Sequence, residues 1–194
     1  MAAPIRRCVR PLVRLLAGMA AFVLPTGLAL AAPGPVCMRD GGFLVVELPH
    51  ANAVGNSYIV RGSAAGQAPQ CNATAAPGDY IVGKDEDPFF LSKLAGSYMF
   101  IDSGTGPTRE LLIYDLKTHQ QVYKNIYDSE SLKRDGNHVV FWAASQEPAT
   151  KKTCRDLRKF KQQGFEAGLQ VRATFDLGTG KVSVGGKTRC VPYQ

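Results

Sequence analysis

Three histidines, five cysteines and a dense run of lysines and arginines carry most of the reactive chemistry of this chain. His50, His119 and His138 stand in no H-E-x-x-H pair, and no G-x-S-x-G elbow supplies a serine for them to activate. His119 falls at an expected turn tip, and His50 and His138 fall at strand ends, so no spacing marks a triad. The acids Asp85-Glu86-Asp87 lack the ligand periodicity of a calcium loop. With Pro88 behind them and Phe90, Leu91 and Leu94 apolar, they are expected to cap a short helix at Asp87 that Gly96 ends. Glycine-rich stretches at 103–107 and 185–188 would cradle a phosphate only ahead of a helix N-terminus, and none is expected after either. Among so many acids, no spacing singles out a carboxylate pair for glycoside hydrolysis. No catalytic residue, metal ligand or cofactor is therefore expected.

The cysteines point elsewhere. Cys8 lies in an N-terminal segment with four arginines, an apolar run over 15–24 and the small-x-small box Ala29-Leu30-Ala31. That is the pattern of a signal peptide removed after Ala31, and the run is too short to span a bilayer. The remaining Cys37, Cys71, Cys154 and Cys190 contain no C-x-x-C element. In an exported chain they are expected to form two disulfides, in one of three possible connectivities. Joining nearest partners within each half gives Cys37–Cys71 and Cys154–Cys190, each stabilising by about 2–4 kcal/mol. Periplasmic or secreted localisation follows from the same features.

Four of the 23 cations leave with the leader, so 19 remain against 16 acids, a net of +3. Six of those 19 fall between residues 151 and 161: Lys151, Lys152, Arg155, Arg158, Lys159 and Lys161, opposed only by Asp156. The rest of the mature chain then holds 13 cations and 15 acids. A helix is expected over 150–164, capped by Thr150 or Thr153, ended by Gly164, with Cys154, Leu157 and Phe160 facing inward. A purely structural helix relieves such self-repulsion with acids four residues away, and only Lys152 has one, in Asp156.

The elements that must position these groups are mostly strands. β-branched and aromatic runs bounded by turn residues are expected over 43–48, 56–61, 98–101, 110–116, 121–127, 138–144, 169–175 and 181–184, with a last strand carrying Cys190 back to the start of the helix. Successive apolar positions over 110–116 imply a strand covered on both faces, and Trp142 is expected in the core. Tyr114-Asp115-Leu116-Lys117-Thr118 recurs as Phe175-Asp176-Leu177-Gly178-Thr179, an Asx-type turn used in two similar hairpins. The expected fold is mainly β, an antiparallel meander or sandwich-like single domain over 32–194. Its part from 32 to 87 is loop-rich, and one short and one longer helix pack on the meander over 88–194.

The expected function is that of an exported, non-catalytic binding or inhibitor-like module of the cell envelope, engaging an anionic component or acidic protein surface through the basic helix. A small exported hydrolase with an unrecognised site is the alternative. Nucleic acid is not expected as a partner, because aromatics do not interleave with the cations, and no membrane insertion is expected after cleavage.

Overall fold

Short β-branched and aromatic runs, some alternating with polar residues and some apolar throughout, give twelve strands among the described residues, all paired antiparallel. The computed structural model describes residues 34–63 and 68–193; the leader expected over 1–31 lies outside them. β1 (Cys37–Asp40), β2 (Phe43–Pro49), β3 (Asn56–Gly62) and β4 (Tyr80–Val82) form a four-stranded sheet in that order. Then come β5 (Phe89–Ala95), β6 (Tyr98–Ser103), β7 (Arg109–Asp115), β8 (Gln120–Tyr127), β9 (Lys133–Asp135), β10 (His138–Ala144), β11 (Glu166–Asp176) and β12 (Lys181–Tyr193). These make a second sheet ordered β12-β11-β10-β8-β7-β6-β5, with β9 paired beside β10. The mainly antiparallel class, the meander and both disulfides, Cys37–Cys71 and Cys154–Cys190, are as expected.

Two apolar clusters share the middle strands. On one face of the large sheet, Tyr98 and Phe100 of β6 and Leu111 and Ile113 of β7 join Phe141 and Phe175. On the other face, Met99, Ile101 and Leu112 pack against Val45, Tyr58 and Val60 of the small sheet. β6 and β7 are thus covered on both sides, as successive apolar residues require. Tyr98 and Phe100 each meet Phe175 edge-on, with ring centres 4.8 and 5.5 Å apart. Their strands are four places apart in the sheet, which would be about 19 Å in a flat one. The large sheet therefore curls around its first cluster.

Three expectations are corrected. The short helix over 88–96 is strand β5: Ser92 is an extra residue between the pairs Leu91↔Ile101 and Lys93↔Phe100. That bulge brings Leu91 and Leu94, three apart, onto one face, where both pack in the second cluster. It imitates helical spacing. The helix over 150–164 shrinks to α1 (Leu157–Gln162). Ahead of it, the Thr150 and Thr153 side chains bond each other and each other's backbone N–H, and Cys154 is drawn to Cys190, so a separate turn forms there. Trp142 is not in the core: Val139, Phe141 and Ala143 take the inner positions of β10, which leaves Trp142 half-buried on the outer face. The loop-rich part, 32–87, holds the short strands β1 and β4 besides the two strands expected there.

Candidate functional site

The six basic residues fall on two local structures. Lys151, Lys152 and Arg155 sit in the turns before α1, and Arg158, Lys159 and Lys161 on α1 itself; all six are exposed. None forms an ion pair among the described residues, where six such pairs are present. Lys159 and Lys161 lie in the last helical turn, where the backbone carbonyls favour positive charge. The other four have no such local reason. Cys154, only 1% exposed, roots the segment in the protein, and Gly164 (φ +81°) closes α1 as expected.

The Cys154–Cys190 bridge joins this segment to β12. One residue before Cys190, Arg189 reaches across the outer face of the large sheet. Its Nε donates to Gln170 Oε1 at 2.8 Å and its Nη2 donates to Asp128 Oδ2, while the guanidinium stacks 4.6 Å from the centre of the Trp142 ring. Gln170 is 4% exposed. Arg172, paired with Trp142 across β10 and β11, lies 5.9 Å from the same ring. Asp128 is held in turn by the Glu130 N–H, which donates to its Oδ1 at 3.1 Å. Around this network lies a cavity of about 510 Å³, walled by Asp128, Glu130, Gln170, Arg189 and Tyr193, with Phe165 at one side. Its size falls within the range of about 300–1,000 Å³ usual for small-ligand sites. A second cavity of about 510 Å³, between α1 and the start of β11, is lined by Leu157, Lys161, Phe165 and Glu166. Phe165 borders both.

The expectations from sequence did not assemble the Arg189 network. Its signal was weak: a strand over 138–144 places Phe141 and Trp142 on opposite faces, but residues 139–143 are apolar throughout and do not say which face is the core. What no spacing conveys is that Asp128 and Arg189, sixty-one positions apart, meet there.

The histidines are dispersed. His138 pairs with Asp176 at 3.3 Å on the sheet end. His119 stacks flat on Tyr80, ring centres 4.4 Å apart. His50 Nε2 lies 3.0 Å from Ser57 Oγ, beside Asp85 and Glu86 in a cavity of about 450 Å³. That pair resembles a nucleophile and its base, but Nδ1 of His50 is buried with no partner among the described residues. If Nε2 were the free base, Nδ1 would carry a buried, unbonded proton. The tautomer in which Nε2–H donates to Ser57 leaves only an unpaired acceptor, which costs less. The geometry thus favours a structural hydrogen bond. Asp87 likewise serves a turn, accepting from the Lys84 N–H at 2.9 Å. Gly185-Gly186-Lys187 is a bulge in β12 opposite Arg172.

Among the described residues no cluster of three metal-ligating side chains occurs, and no helix is long and apolar enough to cross a membrane. No family model matches the chain, and neither the curated proteins nor the solved structures contain a match.

Proposed function

We propose that this protein is an exported, non-catalytic binding module of the cell envelope, inhibitor-like in character, which captures an anionic partner through the basic segment 151–161. One observation carries the reading: six exposed cations within eleven residues, none of them ion-paired among the described residues. Repulsion among exposed charges of this density is relieved when a partner of opposite sign arrives. Two disulfides support maturation in an oxidising compartment, the periplasm or the exterior. The anchoring of Cys154 supports a segment that presents its cations on a fixed base, which lowers the ordering cost of binding.

Replacing all six with serine tests it. The expected result is loss of capture from an envelope extract, with an unchanged circular dichroism spectrum. Capture by the unaltered protein weakens as salt rises, because exposed charges are screened. Retained capture by the serine variant refutes the reading.

A further inference from the structure

We infer that the anionic partner is an acidic polysaccharide, one of whose sugar rings enters the cavity beside Arg189 while its acid groups lie along the 151–161 cations. This rests on the basic segment being a binding surface and names what it binds.

Three observations converge. First, the cavity and the cations are stapled together. Arg189 and Val191 of the cavity wall flank Cys190, and its disulfide partner Cys154 lies between Lys152 and Arg155, with the two Cα atoms 5.2 Å apart. Second, Phe165 stands between two cavities: it borders the first and also the second, into whose lining α1 contributes Lys161. A ligand long enough to touch the cations therefore passes an aromatic side chain and a hollow of ligand size. Third, the walls are not simply positive. Asp128 and Glu130 line the first cavity, and Glu166 the second. Carboxylates in the walls call for hydrogen-bond donors on the ligand. An acidic peptide face and an acidic sugar both bring carboxylates, but only the sugar carries several hydroxyls on each ring beside them. An acidic sugar brings hydroxyl donors for the walls, acid groups for the cations, and a C–H face for Phe165. Gln170 and Asp128 engage Arg189 Nε and Nη2, which fixes the guanidinium and leaves Nη1 to meet the ligand.

The chain holds a single tryptophan, and Trp142 lies directly under Arg189, so its emission reports on the cavity. The experiment titrates the full mature protein with oligogalacturonate and, separately, with poly-glutamate of matched charge. Calorimetry gives affinity and Trp142 emission gives location. Oligogalacturonate is expected to bind about tenfold or more tightly than poly-glutamate, a difference of about 1.4 kcal/mol, and to shift the emission. Phe165→Ala is expected to weaken it several-fold, with an unchanged circular dichroism spectrum and without altering the salt dependence, which the cations set. Equal binding of poly-glutamate, binding with no change in emission, or indifference to Phe165→Ala overturns the polysaccharide assignment and leaves the basic-segment reading standing. If neither polyanion binds, both fall.

Discussion

Arg61 shows how one side chain can organise a stretch with no regular structure. On β3 its guanidinium is 8% exposed, and it donates to Asp79 Oδ2 at 2.9 Å and to the carbonyls of Gln70, Asn72 and Thr74. The segment that closes over it is rich in Ala, Gly and Pro and has no apolar face of its own. Backbone carbonyls that would otherwise be solvated turn inward to a buried charge, and Cys71, bonded to Cys37, holds the same segment from the other side. Arg61→Ala should therefore cost about 3–5 kcal/mol of unfolding free energy, since it leaves the Asp79 carboxylate with only the Ala76 N–H and the carbonyls of Gln70, Asn72 and Thr74 without their donor. Arg61→Lys should recover little, because an ammonium cannot fork to four acceptors. Urea denaturation measures both, and a loss below about 1 kcal/mol for the alanine variant would mean the loop orders without the charge.

The two hairpins with the aromatic-Asp-Leu-x-Thr turn show what local sequence can specify for an element. Asp115 Oδ1 accepts from the Lys117 N–H at 2.9 Å, and Asp176 Oδ1 accepts from the N–H groups of Gly178 and Thr179, both at 2.8 Å. These bonds hold the Asp176 carboxyl below its ordinary range, the Thr179 N–H most strongly. Five residues in, each turn needs a left-handed residue, and it finds His119 (φ +59°) in one and Gly180 (φ +68°) in the other. The two positions differ in surroundings. His119 stacks on Tyr80 of the small sheet, whereas a Cβ on Gly180 would lie 2.6 Å from the Tyr98 hydroxyl. Gly180→Ala is accordingly expected to destabilise by about 1–3 kcal/mol, from a positive φ together with overpacking. A thermal melt unchanged within error would show that the curled sheet yields at this edge. Elsewhere the same kind of local reading failed at β5, because a bulged strand and a helix both place residues three apart on one side.

For the molecule as a whole, the decisive feature is that β6 and β7 serve both apolar clusters, so neither sheet can open without exposing the other's core. Tyr58 lies in the cluster between the sheets and Tyr127 inside the curl. Burial away from water pushes both hydroxyls up, from an ordinary 10.0 to about 12. A raised folded value means the protein disfavours the ionised phenol. Its stabilising effect is complete below pH 10 and is lost as pH climbs toward about 12. Alkaline titration should therefore show both tyrosines ionising together with a single unfolding transition, followed by tyrosinate absorbance and circular dichroism. Tyr58→Phe should move that transition to higher pH. Two resolved transitions would mean the clusters unfold independently.

The sequence by itself determined what depends on neighbours along the chain: the period-two strands, their turns, the two disulfide pairs and the concentration of charge at 151–161. Each follows from steric alternation, from backbone hydrogen bonding by short polar side chains, or from simple proximity. Only the tertiary structure decided what depends on distant partners. The bulge at Ser92 exists because the strands on either side must both face the small sheet. The helix over 150–164 was cut to six residues where Thr150 and Thr153 close their own turn and a disulfide draws Cys154 toward β12. Trp142, Asp128 and Arg189 meet because the large sheet brings β8, β10 and β12 within one side chain's reach, a placement set by packing over the whole sheet rather than by any short run of residues.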